Sequence, residues 1–214
     1  MAKQSIILIG GGDHALCVTE LLRKTSAYEF VGYTDVKKSQ LDLTYLGNDQ
    51  DFLSQKLKTF KNTLFAMGIG SDIKLRALLF EKYQSIGCRF ITFIHPSAQI
   101  SQTAQIEEGS LIFPGVAVGP FVKLAKNVLL HDQTVVEHHS EIGAHSYLSP
   151  QTVIAGRCRL GQQTFCGIHT SVIENIQIAG QTCLGAGAVV VKDITEKGLT
   201  WVGVPAKALV KQNV

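Results

Sequence analysis

An apolar residue recurs at every sixth position between Ile94 and Val190. The series runs through seventeen positions without a slip, of which sixteen are aliphatic and the other is Cys166. Four residues after each of these positions, the chain mostly carries Ala, Ser, Thr or Val. A six-residue period fits neither the turn of about 3.6 residues of a helix nor the alternation of a strand. The pattern therefore predicts short strands joined by tight turns at regular corners.

Three such strands would close a triangular coil of eighteen residues, with the aliphatic side chains pointing at its axis and the small residues near its corners. Successive coils would stack about 4.8 Å apart, and each strand would pair in parallel with its equivalents in the coils above and below. The repeat thus predicts a parallel β-helix over residues 94 to about 192. The spacing alone leaves its hand open.

Residues 1–90 follow a different pattern, in which β-branched apolar runs alternate with helical periodicity. This pattern predicts strands at 5–9, 30–33, 63–69 and 90–94, and helices at 14–25, around 49–57 and after Ser71 as its N-cap. In the last helix we expect a buried stripe of Leu75, Leu78, Leu79 and Tyr83. The order indicates a Rossmann-like α/β domain, βαβαβαβ, with a parallel sheet.

Charge supports a domain boundary near residue 90. Residues 1–90 carry 21 charged side chains, and the longer stretch 91–214 carries 16. We therefore expect a first domain at 1–90 and a second at 91–214. Beyond the repeat, residues 201–204 indicate a last strand and 206–211 a short C-terminal helix.

Composition excludes several classes of protein. With 45% hydrophobic and 17% charged residues, the chain can bury a core, and a net charge of +3 is too weak for a protein devoted to nucleic acid. The N-terminus resembles neither a secretory signal nor a membrane span, so a cytoplasmic protein is expected. The five cysteines form no C-x-x-C pair, which disfavours disulfides and zinc ribbons and indicates buried thiols.

A glycine-rich turn follows the first predicted strand. It matches G-x-G-x-x-A over residues 10–15, where backbone amides at a helix N-terminus can hold phosphate. Asp35 ends the second strand, where it could accept hydrogen bonds from a ribose or a base, and Gly68 and Gly70 would open the same crevice. About 90 residues supply one mononucleotide half, which favours a nucleotide-linked small molecule over NAD. The alternative is a turn required only for packing, with Asp35 as a solvated strand end.

Four of the seven histidines lie in one stretch of fifteen residues inside the predicted β-helix: His131, His138, His139 and His145. A neutral imidazole readily takes a proton near pH 7, so these residues are candidate general bases. A single surface histidine is more often inert. The position of His138, two residues after the inward residue Val136, favours it among the four.

The combination of motifs resembles the sialic acid O-acetyltransferase (NeuD) family of hexapeptide-repeat acyltransferases. Its close relatives are nucleotide amino-sugar N-acetyltransferases, among them the UDP-4-amino-sugar acetyltransferase of the bacillosamine pathway. The resemblance spans nearly the whole chain. The motifs that carry it are G-G-G-D-H at 10–14, Asp35, the hexapeptide array, V-E-H at 136–138, A-G at 155–156, G-I at 167–168, L-G-A-G at 184–187 and V-G-V-P-A-K at 202–207.

This resemblance implies a left-handed β-helix, an N-terminal domain that binds the nucleotide-sugar, and acetyl-CoA as cosubstrate without a metal. It also implies a homotrimer with acetyl-CoA in the groove between subunits. His138 matches the general base, and Glu137 beside it is a further candidate catalytic residue. The nucleotide-sugar contacts match Gly12, Asp13, His14 and Asp35, with Gly68 nearby. The acetyl-CoA contacts match Tyr147, Lys207 and the main chain of Ile168 and Ala186.

The chain departs from the bacillosamine enzyme at three positions. His139 stands where that enzyme has an acid directly after the catalytic histidine, and an imidazole cannot supply its negative charge. Glu137, Asp132 or Glu141 could orient His138 instead, and the sequence does not choose among them. Tyr147 replaces a histidine that contacts CoA, and Val36 replaces an acid after Asp35.

The leading hypothesis is N-acetylation of a UDP-, dTDP- or GDP-linked 4-amino-deoxysugar. O-acetylation of sialic acid or another sugar hydroxyl is the alternative within the same class. A metal-binding β-helix of the γ-carbonic anhydrase type would also use clustered histidines, although the H-x-x-x-x-H spacing is missing. A β-helix that has lost catalysis is the remaining alternative, suggested by His139.

Overall fold

The computed structural model describes residues 3–60 and 62–209. The chain divides into two compact units, Met1–Ile91 and Thr92–Val214. Within the described residues, no helix combines the length and apolar character needed to span a bilayer.

The first unit is a four-stranded parallel sheet in the order β2-β1-β3-β4, with helices between the strands. The prediction of an α/β unit with a parallel sheet is confirmed. Its elements are β1 (Gln4–Ile9), α1 (Asp13–Leu22), β2 (Tyr28–Thr34), α2 (Asp49–Asp51), β3 (Leu64–Met67), α3 (Ile73–Ser85) and β4 (Arg89–Phe90). The helix expected at 49–57 is α2 followed by a π-helical turn (Phe52–Lys56) and a 3-10 turn (Leu57–Thr59).

The central strand β1 shows why the sheet forms where it does. Ile6, Ile7, Leu8 and Ile9 are all fully buried. A run that is apolar on both faces is typical of a parallel strand covered on both sides. The carboxyl ends of β1 and β3 lie side by side, and the connections leave them in opposite directions. This switch point is where α/β sheets bind ligands.

Helix α3 corrects two details of the sequence analysis. Its N-cap is Asp72, whose side chain accepts a hydrogen bond from the amide of Leu75, and not Ser71. Leu75 and Leu78 are exposed at 40% and 65%, so the expected buried stripe is wrong at these positions. The buried face is instead formed by Arg76, Ala77, Leu79, Phe80 and Tyr83.

The second unit is a β-solenoid of about six coils, as predicted. Seventeen strands of two residues run from β5 (Phe93–Ile94) to β21 (Val189–Val190), and the second residue of each is a member of the six-residue series. They form three parallel sheets, which we call the first, second and third faces. The first face contains β5, β8, β11, β14, β17 and β20; the second β6, β9, β12, β15, β18 and β21; the third β7, β10, β13, β16 and β19.

The strands between β5 and β21 follow the same six-residue step. They are β6 (Gln99–Ile100), β7 (Gln105–Ile106), β8 (Leu111–Ile112), β9 (Ala117–Val118), β10 (Lys123–Leu124), β11 (Leu129–Leu130), β12 (Val135–Val136), β13 (Glu141–Ile142), β14 (Tyr147–Leu148), β15 (Val153–Ile154), β16 (Arg159–Leu160), β17 (Phe165–Cys166), β18 (Ser171–Val172), β19 (Gln177–Ile178) and β20 (Cys183–Leu184).

The corners have a regular backbone conformation. From Gly109 to Gly187, the third residue after each inward residue has a φ between 54° and 80°. This left-handed conformation turns the chain into the next face. The small residues just after each corner tie coils together. The Ser140 hydroxyl, for example, donates to the carbonyl of Ala155 and accepts from the amide of Cys158, at 2.8 and 3.0 Å.

The C-terminal part differs from the prediction. β22 (Thr200–Val202) extends the first face, and β23 (Lys207–Ala208) pairs with it in antiparallel orientation. The helix expected at 206–211 is therefore wrong over the described residues, because the segment pairs with the sheet edge. Residues 210 and 211 lie outside the described residues.

The cysteines also depart from expectation. Cys17 is exposed and Cys183 half-buried, whereas Cys88, Cys158 and Cys166 are buried. Burial raises the pKa of the Cys88 thiol to about 11 and also raises the pKa of the Cys166 thiol. The prediction of buried thiols is thus wrong for Cys17.

Candidate active site

The three glycines after β1 have different structural roles. Gly10 has a φ of +95°, and a β-carbon there would stand 2.7 Å from a side-chain carbon of Ile69. At Gly11 it would stand 2.4 Å from the Tyr33 ring. Gly12, the N-cap of α1, has an ordinary φ of −79° and no atom within 4 Å of such a β-carbon. Packing thus explains Gly10 and Gly11, while Gly12 leaves the amides at the start of α1 open to an anionic ligand.

Asp35 anchors this glycine turn to the end of β2. One carboxylate oxygen accepts a hydrogen bond from the Gly11 amide at 2.7 Å, and the other accepts from the Val36 amide at 2.6 Å. The hydroxyl of Tyr45 donates to the Asp35 carbonyl at 3.1 Å. Each carboxylate oxygen has a second lone pair. Asp35 can therefore hold the turn in place and still accept a hydrogen bond from a ligand.

The other predicted nucleotide-sugar contacts lie around the same edge of the sheet. Asp13 is exposed in the first turn of α1, and His14 is half-buried against Gly70, where a β-carbon would stand 3.0 Å from that of His14. Gly68 is buried, and a β-carbon there would stand 2.6 Å from the Gly10 carbonyl. Its glycine identity follows from close packing of the strand ends.

In the solenoid, His138 lies at the corner that follows the second face. Its ring lies against Gly156, the equivalent residue of the next coil. A β-carbon at Gly156 would stand 2.6 Å from Cε1, 2.8 Å from Nε2 and 3.1 Å from Nδ1 of His138. The ring borders a cavity of about 360 Å³ lined by Glu137, His138, Ala155, Gly156, Arg157, Glu174 and Asn175. A half-buried imidazole at the wall of a cavity is well placed for proton transfer.

The partner of the His138 ring is a second imidazole. The Nδ1 atoms of His138 and His139 lie 3.2 Å apart, and the two rings are nearly perpendicular, at 84°. His139 has a φ of +60° at the corner, and its ring contacts Phe121 one coil earlier, with 5.0 Å between ring centroids.

None of the three acids considered from the sequence forms a hydrogen bond or ion pair with His138 in the part of the chain that the structure describes. Asp132 forms a hydrogen bond with Nδ1 of His131. Glu141 pairs with Lys123 and Arg159 on the third face, at 3.2 and 4.0 Å. Glu137 is exposed, and no hydrogen bond joins its carboxylate to the described residues. Glu137 therefore borders the same cavity as His138 without orienting its ring.

The predicted acetyl-CoA contacts lie elsewhere on the solenoid. Ile168 and Ala186 occupy equivalent positions of neighbouring coils, at the corner that follows the first face, and both are exposed. Tyr147 is 8% exposed and stacks on Phe165 with 5.4 Å between centroids, while Lys207 is exposed on β23. Ile168 lies at the corner that follows the first face, and His138 at the corner that follows the second. Within one coil these two corners are six residues apart, which is about 20 Å of extended chain.

Six residues of the His138 site were not proposed as site residues from the sequence: His139 and five that line the cavity, Ala155, Gly156, Arg157, Glu174 and Asn175. The signal for Gly156 was available, because residues eighteen positions apart are neighbours on adjacent coils. The contact of His139 with His138 depends on the left-handed corner, which the spacing does not reveal.

The histidine cluster has local partners. His145 is buried and contacts Asn127, with 3.0 Å between its Nδ1 and the amide nitrogen, and His131 contacts Asp132 and stacks on Phe113. Among residues 3–60 and 62–209, no three His, Cys, Asp or Glu side chains are grouped to hold a metal ion.

Both units are similar to known proteins. Residues 5–83 match the model of the PglD N-terminal domain. PerB from Caulobacter crescentus, solved with CoA and GDP-perosamine, is 30% identical, with a TM-score of 0.90 over 98% of this chain and 99% of that one.

Two further solved structures are similar. The acetyltransferase domain of PglB from Neisseria gonorrhoeae, solved with acetyl coenzyme A, is 25% identical over 97% of this chain and all of that one, with a TM-score of 0.88. WeeI from Acinetobacter baumannii is 21% identical over 97% of this chain and all of that one, with a TM-score of 0.84, and supports the fold. On this evidence of sequence and fold over nearly its whole length, the chain belongs to the NeuD-like family of nucleotide amino-sugar N-acetyltransferases and is an acetyltransferase.

Proposed function

We propose that this enzyme transfers the acetyl group of acetyl-CoA to the amino group of a nucleotide-linked 4-amino-deoxysugar, with His138 as the general base. The observation that carries the proposal is the His138 ring, half-buried over Gly156 at the wall of a cavity. Support for the amino-sugar acceptor comes from PerB, 30% identical, which was solved with CoA and GDP-perosamine.

In the proposed reaction, the Nε2 atom of His138 takes up one proton and later gives it back. The neutral amine nitrogen attacks the thioester carbonyl and forms a C–N bond. Nε2 of His138 takes the proton that the nitrogen must lose, and the C–S bond breaks. The CoA thiolate then receives this proton from the imidazolium, so that His138 is neutral again. General-base catalysis of this kind contributes about 10²–10⁴-fold.

The first unit supplies the nucleotide site in this proposal. The open amides behind Gly12 take the phosphates, because a helix N-terminus attracts negative charge. Asp35 accepts a hydrogen bond from the nucleoside with the lone pairs that Gly11 and Val36 leave unused. Asp13 and His14 flank this site, and Gly68 shapes it through its packing.

Acetyl-CoA is the acyl donor, as in the related acetyltransferases. We assign its pantetheine arm to the main chain of Ile168 and Ala186, with Tyr147 nearby and Lys207 close to the phosphates. Ile168 and Ala186 lie on a different corner from His138. A homotrimer that sets the Ile168 corner of one subunit beside the His138 corner of the next would complete the site, and an elongated solenoid gains buried area by such pairing.

A thiol-release assay with acetyl-CoA tests the proposal. GDP-perosamine would be compared with UDP- and dTDP-linked 4-amino-sugars and with sialic acid as a hydroxyl acceptor, for the wild-type enzyme and His138→Ala. Turnover of one nucleotide amino-sugar, reduced about 10²–10⁴-fold in His138→Ala, is the expected result. Turnover of a hydroxyl acceptor alone would replace the proposal with O-acetylation, and an equal rate in His138→Ala would remove His138 as the base.

Light scattering tests the shared site separately. The expected mass is three times 23.2 kDa. A monomer that turns over substrate at full rate would contradict a site completed by a neighbouring subunit.

A further inference from the structure

We propose that His139 is a positioning residue, which fixes the tautomer of His138 by accepting a hydrogen bond from its Nδ1–H. This inference rests on the proposed role of His138 as the general base. The observation behind it is the separation of 3.2 Å between the Nδ1 atoms of His138 and His139. Both nitrogens belong to imidazoles, so a hydrogen bond between them needs a proton on one and a lone pair on the other.

The requirement for catalysis decides which ring donates. If His138 takes a proton at Nε2, that atom must carry a lone pair, so the ring proton of neutral His138 sits on Nδ1. Nδ1 of His139 must then be the acceptor, and the proton of neutral His139 sits on its Nε2. When His138 becomes an imidazolium, its Nδ1–H still donates to neutral His139, so the hydrogen bond survives the catalytic cycle.

The fold holds His139 in this position by two contacts outside the pair. Its amide donates to the carbonyl of Pro120 at 2.9 Å in the preceding coil. Its ring contacts the ring of Phe121, which occupies the same corner one coil earlier. The left-handed corner directs His139 next to His138, whereas consecutive residues of a strand point to opposite faces.

The charged groups near the pair do not replace this contact. Glu137, Arg157 and Glu174 line the cavity beside His138, and the ring of His139 contacts the apolar ring of Phe121. Within the residues that the structure describes, none of these three charged side chains forms a hydrogen bond with either imidazole. The lone pair of His139 is thus the acceptor that the described geometry offers to His138.

Two variants at position 139 separate positioning from folding. In His139→Asn, the amide oxygen is bonded to Cγ, as Nδ1 is in histidine, so an acceptor remains at nearly the same place. His139→Arg offers only donors. Both side chains already occupy equivalent corners with left-handed φ, at Asn127, Asn175 and Arg157, so both variants should fold. Gln181→Arg places the same side chain at an exposed corner elsewhere and is the matched control.

We expect His139→Arg to lower kcat about 10- to 100-fold, as happens when the group that orients a functional histidine is lost. KM for the nucleotide-sugar should change little. His139→Asn should retain most of the activity, and Gln181→Arg should match the wild type. Wild-type kcat in His139→Arg would overturn the proposal.

Nitrogen NMR of ¹⁵N-histidine-labelled enzyme, assigned with His138→Ala, reads the tautomer without any substrate. The expected result is a protonated Nδ1 and an unprotonated Nε2 for His138, with the opposite tautomer in His139→Arg. A wild-type His138 with its proton on Nε2 would overturn the inference. If no amino-sugar is turned over, the proposed function fails while this measurement still decides the role of His139.

Discussion

The imidazole of His138 and the α-carbon of Gly156 are neighbours on adjacent coils, and three ring atoms lie within 3.1 Å of the place where a β-carbon at Gly156 would stand. Real carbon atoms do not approach so closely, so any side chain at Gly156 must displace the ring. The position of the proposed base is thus fixed by the absence of a side chain on the next coil.

Gly156→Ala should therefore lower kcat by about 10²-fold, because a displacement of about 1 Å in a reacting group can cost that much. The melting temperature should change little, since the His138 ring can move into the adjoining cavity. The same substitution in a His138→Ala background is the control and should have no further effect on kcat. Equal losses in both backgrounds would show that Gly156 acts independently of His138.

Gly12→Asp should separate stability from ligand binding. Aspartate is a favourable N-cap, so the free energy of unfolding should stay level or rise by about 0.3–1 kcal/mol. Its carboxylate would occupy the open space before α1 and repel phosphate, so KM for the nucleotide-sugar should rise at least about 10-fold, while KM for acetyl-CoA stays constant. Steady-state kinetics and urea unfolding measure the two effects, and an unchanged KM for the sugar would argue against a phosphate site at Gly12.

Two substitutions on α3 test which side of this helix faces the core. Phe80 is fully buried and Leu78 is 65% exposed. Phe80→Ala should lower the free energy of unfolding by about 3–5 kcal/mol, whereas Leu78→Ala should change it by less than about 0.5 kcal/mol. Urea unfolding compares the two variants, and similar losses would mean that Leu78 is covered in solution.

Thiol labelling should follow burial. Alkylation at pH 8 should modify the exposed Cys17 first, with Cys88, Cys158 and Cys166 reacting only in denaturant. Since burial raises the pKa of Cys88 to about 11, its thiol stays mainly protonated even at pH 10, and its labelling there should remain slow. Peptide mapping by mass spectrometry gives the order, and early modification of Cys166 would contradict the packing of the solenoid.

The solenoid could be predicted from the sequence because one physical requirement repeats in every coil. Each inward position must be apolar, and seventeen successive positions meet that requirement. On α3, by contrast, Leu75, Leu78 and Leu79 form a plausible apolar stripe, and nothing in the pattern predicts that Arg76 is buried. The C-terminal segment was misassigned because pairing of Lys207–Ala208 with the sheet edge outweighs a weak helical pattern.

The candidate site was predictable only in part, for a similar reason. His138, Gly12 and Asp35 could be chosen by motif and by family resemblance. The role of Asp35 in holding the Gly11 amide depends on a contact across 24 residues. The Nδ1 pair of His138 and His139 depends on a backbone conformation that departs from strand alternation.

The strict six-residue step gives the second unit a reading frame. Deletion of one residue inside it would turn every following inward side chain outward, so a change of a single residue would cost the core of all later coils. Insertion of a whole coil of eighteen residues would preserve the frame, and new coils could be added after Gly156 without moving the neighbours of His138. An insertion between the two residues would instead give His138 a new neighbour, so the proposed site requires the coil between them to keep its length.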